Sequence, residues 1–137
     1  MRKLNTTRTA RKRLGTITKA LLIQAPFIDW ILSGKKTWEI RGYPTTVRGP
    51  IALIRSGSGT IVGTCNILKT HGPLTRRELV ANCRRLGCRA NEIERSLPYP
   101  KTYAWVIHGA KSLRKPLRYK HPNGAIGWVR LDRTRVG

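Results

Sequence analysis

Acidic side chains are scarce in this chain: six Asp and Glu stand against 28 Lys and Arg in 137 residues, for a formal net charge of +22. A balance this one-sided sets a positive potential over much of the surface. It weighs against a module devoted to protein contacts, most of which it would make nonspecific. Cysteine is equally sparse. Cys65, Cys83 and Cys88 are odd in number, and the Cys83 to Cys88 spacing is not the Cys-x-x-Cys of zinc sites and redox motifs, so free thiols in a reducing compartment are expected. Nothing in the sequence calls for a metal or another cofactor. No apolar run approaches the roughly 18 residues of a membrane-spanning helix, and a membrane-surface helix would need an apolar face beside its basic one. Aromatics make up only 7% of the chain, fewer than in a dedicated binder of single strands, and no internal repeat is present.

What remains is a basic chain of single-domain length. Its expected partner is a polyanion. Nucleic acid is the commonest, and the binding such charge favours is sequence-independent and weakens steeply with salt. Charge alone does not choose among nucleic acids, and ribosomal and transfer RNA are open choices. Residues 1–19 carry Arg8, Arg11, Lys12 and Arg13 among other cations and no acid, and read as a basic flexible arm. The same composition suits a mitochondrial transit peptide. A retained arm in the cytoplasm is preferred, with the mitochondrial matrix as the alternative. Residues 20–132 form the expected domain, residues 133–137 a short tail, and the chain is treated as a monomer.

From Ala20 the pattern changes. Leu21 to Gln24 read as a short buried strand, Pro26 suits the first turn of a helix carrying Phe27, Ile28, Ile31 and Leu32, and Gly34 can end it. Thr37 to Arg41 alternates as a strand, with Thr37, Glu39 and Arg41 on a cleft or exposed face and Trp38 and Ile40 towards the core. Ile51 to Ile54 and Ile61 to Leu68 are strands joined by a turn through Gly57-Ser58-Gly59. Thr75-Arg76-Arg77-Glu78 fits a capping box opening a helix that runs to about Leu86 and stops at Gly87, and a second short helix is expected over Ala90 to Leu97. Tyr103 to Ile107 is a strand, Leu113 to Tyr119 with Pro116 an edge strand, and Ile126 to Leu131 the last. Trp38, Trp105 and Trp128 fall within strands as core. Tyr43, Tyr99 and Tyr119 lie nearer loops, where they can stack on bases.

The segment Gly34-Lys35-Lys36-Thr37-Trp38-Glu39-Ile40-Arg41 sets one carboxylate between cations in a chain that has few carboxylates. Its spacing of Gly34, Lys36, Glu39 and Arg41, just after a short strand and helix, resembles the Gly-x-Lys-x-x-Glu-x-Arg signature of the ASCH domain, a member of the PUA-like superfamily. Ile61-Val62-Gly63-Thr64-Cys65, Tyr103-Ala104-Trp105-Val106-Ile107 and the ending from Tyr119 to Ile126 fit the same family. The resemblance implies an α+β, mainly β fold: a PUA-like pseudo-barrel of about six strands, with a short helix after the first strand and a helical insertion midway. It also implies a ligand-binding cleft floored by Gly34, Lys36, Glu39 and Arg41, and an RNA-binding role.

Lys36 and Arg41 suit phosphate or carbonyl oxygens, and Glu39 can accept from an exocyclic amine of a base. Alternatively, Glu39 only bridges its two cationic neighbours and organises the cleft wall. Arg76, Arg77, Arg84 and Arg85 on the helical insertion form either a solvated basic face or a phosphate-contact face. Catalysis is the second functional class. One enzyme branch of the superfamily hydrolyses the acetyl amide of N4-acetylcytidine with a Lys, a Thr three residues on, and a Glu from the insertion. Lys36 matches the Lys, Glu39 occupies the Thr position, and the nearest carboxylates for the third role are Glu92 and Glu94. Ribonuclease chemistry is the other hydrolytic possibility, with His121 as candidate base. The catalytic candidates are thus Lys36, Glu39 and His121.

Overall fold

The computed structural model describes residues 13–95 and 99–137. Arg8, Arg11 and Lys12 lie outside the described residues, as do the last two positions of the helix expected to reach Leu97. Six strands, β1 (Lys19–Ile23), β2 (Trp38–Arg41), β3 (Gly49–Arg55), β4 (Thr60–His71), β5 (Tyr103–Arg118) and β6 (Trp128–Arg130), form one sheet in the order β2-β5-β4-β3-β1-β6. The sheet is curled into a half-barrel, the form taken by the expected pseudo-barrel. β1 and β3 are parallel, and the other neighbours antiparallel. Short helices accompany the sheet among the described residues: α1 (Phe27–Leu32) after β1, and α2 (Arg76–Ala81) and α3 (Cys83–Leu86) between β4 and β5.

The apolar runs in β1 and β3 have a direct cause. Alternate residues enter two different clusters: Ala20, Ala52 and Ile54 pack with Val129, Leu131 and Val136, whereas Leu21, Ile23, Ile51 and Leu53 pack with Ile28 and Ile31 of α1 and with Trp105. Strands covered on both faces read as continuous hydrophobic stretches. A third cluster seats the helical insertion, with Leu79, Leu86 and Ile93 against Trp38 of β2 and Ala104 of β5. Leu14 joins the first cluster, so part of the segment read as an arm packs on the domain, and Val136 near the end of the chain is likewise buried.

The curl comes from irregular pairing. Register shifts interrupt β4 against β5 at Ile61/Gly63, Thr64/Asn66 and Ile67/Lys69, and β3 against β4 at Leu53/Ile54. Each such irregularity bends the strand and raises its twist. They also explain a difference from expectation: Leu113 to Tyr119 is no separate edge strand, because Lys111, Ser112, Leu117 and Arg118 continue the ladder with β4 and make β5 one strand of 16 residues. Pro116 falls between the paired positions.

The insertion also differs in detail. The Thr75 capping box is present, with Glu78 N–H donating to Thr75 Oγ1 at 3.1 Å and Thr75 N–H donating to Glu78 Oε1 at 3.1 Å. The helix then breaks at Asn82, whose side chain donates to the Glu78 carbonyl at 2.8 Å, a local alternative to continued helix. Gly87, at φ 75°, closes α3. Ala90–Arg95 is a 3-10 turn. The final strand is shorter than expected, Trp128–Arg130 alone.

Candidate functional site

The signature segment is fixed by backbone bonds on both sides. After α1, Gly34 takes φ 83° and turns the chain; Lys36 N–H then donates to the Trp30 carbonyl at 2.9 Å and Thr37 N–H to the Arg85 carbonyl at 2.8 Å. Lys36 is thereby clamped between α1 and α3. In β2, Glu39 stands opposite Trp105 and Arg41 opposite Tyr103 of β5.

These bonds bring three of the sequence-predicted residues together. Glu39, with its side chain only 8% exposed, receives Arg41 NH2 at 2.9 Å on Oε2 and has Lys36 Nζ at 3.9 Å from Oε1. Arg41 is further committed, donating from the same nitrogen to the Leu22 carbonyl at 2.9 Å and lying 5.5 Å from the Trp105 ring centre. Lys36 is held more loosely. Its ammonium is 3.4 Å from the Leu86 carbonyl and 5.6 Å from the centre of the Phe27 ring. Its side chain is only 5% exposed, and burial pushes its pKa below the ordinary lysine value; Glu39 and Cys88 oppose that shift, and Arg41 adds to it. Two cations and one buried anion leave a net positive charge at this place.

That charge borders a cleft of about 1030 Å³. One wall is β2 with Lys36; α1 supplies Phe27 and Trp30, the insertion supplies Leu86, Cys88 and Glu92, and the loop after β5 supplies Tyr119, His121 and Ile126. The glycine turn Gly57 to Gly59 also reaches it. Apolar walls around a few convergent charges are the usual composition of a small-ligand site. Gly34 shapes the approach of the segment but does not line the cleft.

His121 is another of the cleft's lining residues. Its Nε2 donates to the Ala125 carbonyl at 2.8 Å, which leaves Nδ1 to accept the Tyr119 hydroxyl at 2.9 Å. Both ring nitrogens therefore have protein partners. Of the tyrosines considered for stacking, Tyr99 and Tyr119 line the cleft, whereas Tyr43 packs edge-on against Trp105. Arg76, Arg77, Arg84 and Arg85 are exposed on α2 and α3, outside the cleft lining, and Arg85 covers the outer side of Trp38 at 5.6 Å. Arg13 is exposed, its guanidinium reaching the Lys115 carbonyl at 3.4 Å. Sequence reasoning did not assign Phe27 and Trp30 to the cleft. The sequence places Phe27 on the helix and leaves Trp30 undecided; both line the cleft, where the Lys36 to Trp30 backbone bond holds the end of α1 to the signature segment.

Among the described residues, no cluster of three or more His, Cys, Asp or Glu could hold a metal. No helix there is long and apolar enough to cross a membrane. Cys65, Cys83 and Cys88 are free thiols, and burial pushes the Cys65 thiol up to about 12.

Among curated proteins none matches the chain. Solved structures do. A crystal structure of the ASCH protein of Zymomonas mobilis is similar with a TM-score of 0.58 at 17% identity, covering 72% of this chain and 71% of that one. A tyrosine-to-phenylalanine mutant of that protein gives 0.59 at 17% identity over 72% and 73%, and a serine-to-alanine mutant 0.58 at 18% over 83% and 74%. At these identities the likeness speaks for the fold. The sequence pattern of the ASCH domain itself matches residues 21–117, from β1 almost to the end of β5, and on that match this chain belongs to the ASCH domain family.

Proposed function

We propose that this protein binds RNA, holding one nucleotide in the cleft and neighbouring phosphates on its basic surface. The ASCH family is commonly nucleic-acid-binding. The observation that carries the reading is Lys36: a buried ammonium with acceptors at 3.4 and 3.9 Å, in the lining of a cleft of about 1030 Å³. A buried cation this loosely paired gains more than a surface lysine from an incoming phosphate or carbonyl oxygen, because it has already lost its water. Arg41 serves as a brace for Glu39 and the β1 backbone. Glu39 keeps lone pairs beyond those Arg41 and Lys36 use, so it can still accept from a base amine. The arginines of α2 and α3 and those of residues 1–19 supply sequence-independent phosphate contacts.

The test is equilibrium binding of single-stranded and structured RNA over a salt series. Affinity should fall steeply from low to moderate salt, and Lys36→Ala should weaken binding of cytidine 5′-monophosphate while leaving the salt slope for long RNA nearly unchanged. No RNA binding at low salt would sink the reading.

One observation favours a second reading, hydrolysis of a modified nucleoside such as N4-acetylcytidine. Glu92 lines the same cleft as Lys36, and the lowered pKa of Lys36 is the direction a lysine base requires. Glu39 in place of the Thr stands against it. Turnover of N4-acetylcytidine that disappears in both Lys36→Ala and Glu92→Gln would establish this second activity.

A further inference from the structure

Beside the main cleft lies a smaller notch of about 190 Å³, lined by Lys120, His121, Pro122, Asn123, Arg133 and Arg135 together with Thr134. His121 borders both cavities, so the notch adjoins the cleft at that residue. Three cations line it and no carboxylate does. Asp132, the neighbour of Arg133, has its carboxylate on Arg130, at 3.3 Å from Nε and 2.9 Å from NH2.

The backbone forces two of these cations together. The segment after β5 pairs antiparallel with the chain end: Tyr119 bridges Val136, Lys120 N–H donates to the Arg135 carbonyl at 2.9 Å, and Gly137 N–H donates to the Arg118 carbonyl at 2.7 Å. Val136 turns into the core, and its partner Tyr119 packs against the same cluster. By the alternation of paired strands, Lys120 and Arg135 stand directly opposite each other on the outer face. Like charges facing across a pair destabilise it, unless an anion sits between them.

We infer that this notch is a phosphate subsite, occupied by the backbone of the nucleotide adjoining the one in the cleft, so that the protein's ligand is a strand of RNA. The inference rests on the reading of the cleft as a nucleotide site. It assigns the strand's path: from Lys36 across the cleft, past His121, to Lys120, Arg133 and Arg135. The arginines of α2 and α3 are a separate surface.

The experiment uses the full chain carrying Lys120→Ala, Arg133→Ala and Arg135→Ala together. A charge-matched control carries Lys69→Ala, Lys111→Ala and Arg114→Ala on exposed positions of β4 and β5. Alanine keeps the Lys120 to Arg135 backbone bond, and circular dichroism melting verifies the fold of both. Binding of a fluorescein-labelled single-stranded oligouridylate is measured across salt, and binding of cytidine 5′-monophosphate at one salt concentration. The notch variant should lower the magnitude of the salt slope by about 2, at about 0.7 per lost contact to a single strand, well beyond the control, and leave the mononucleotide affinity unchanged. Equal slopes for the notch variant and the control would overturn the inference, since the notch would then be part of a diffuse field. If the wild-type protein fails to bind the mononucleotide but the notch variant still differs from the control, the cleft reading falls and the subsite stands.

Discussion

Arg41 and Glu39, two residues apart on β2, are joined by a 2.9 Å charged hydrogen bond made from a nitrogen that also holds the Leu22 carbonyl of β1. One guanidinium thus ties the β2 edge of the curled sheet to β1, although β5, β4 and β3 separate the two in the strand order.

Removing the acid should therefore damage the fold before it damages binding. Glu39→Ala leaves Lys36 and Arg41 buried without their counterion, and breaking a buried pair in this way costs about 3–5 kcal/mol. Urea unfolding monitored by Trp fluorescence measures the loss. A change near zero would show that water enters the cleft freely enough to screen both cations.

The cation beside it should behave in the opposite sense. Lys36→Met removes a desolvated charge but keeps the Arg41 to Glu39 bond and much of the side-chain volume. Stability should change little or rise, by about 0–2 kcal/mol, while mononucleotide binding is lost. Such a pairing of greater stability with lost function is common at sites built from strained or buried charges.

The same residue sets a pH dependence. The pKa of Lys36 is lowered in the folded protein from 10.5, so between its folded value and 10.5 the unfolded chain binds more protons and stability rises with pH. Subtracting the profile of Lys36→Met from that of the wild type isolates this contribution. The difference should grow in favour of the wild type as pH approaches 10.5. Mononucleotide affinity should fall over the same window as the ammonium is lost.

Gly87 makes a conformational test of the site. Its φ of 75° suits glycine, and an added Cβ would lie 3.1 Å from Trp30 Cε3 and 3.4 Å from Lys36 Cβ. Gly87→Ala should destabilise by about 1–2 kcal/mol from the left-handed backbone alone, and weaken mononucleotide binding through Trp30 and Lys36. Gly34→Ala is the control: φ is 83° with nothing within 4 Å of the added atom, so stability should fall and cleft affinity should not.

Thiol chemistry reports the core. Cys65, at 1% exposure and with its pKa pushed up to about 12, should resist iodoacetamide in the native protein at mild pH, because the thiolate is the reacting form. Intact-mass spectra should show at most two additions before denaturation and three after. Fast native labelling at a third site would place Cys65 on the surface.

Much of this architecture is legible in the residues. The capping box at Thr75, the glycine turn after β3 and the charge spacing from Lys36 to Arg41 are local signals with local causes, and each is found where the sequence puts it. What the sequence hides is long-range. Leu113 to Tyr119 reads as an edge because Pro116 removes a donor, yet pairing with β4 on either side of it carries the strand through. Glu92 is separated from Lys36 by a whole helical insertion, and only folding sets both on one cleft. Lys120 and Arg135 are unremarkable among 28 basic residues until the chain end returns beside β5.

The register shifts along β4 and β5 touch no part of the cleft, yet they govern its shape. β5 begins opposite Arg41 and ends just before Tyr119 and His121, so a single strand links two stretches of the cavity's lining. Bending it through bulges sets how those stretches stand to each other. The cavity's span is in this sense an arch whose curvature is written in the mismatched residue counts of two strands. Insertions or deletions there would retune what the cleft admits while leaving every ligand-facing side chain in place.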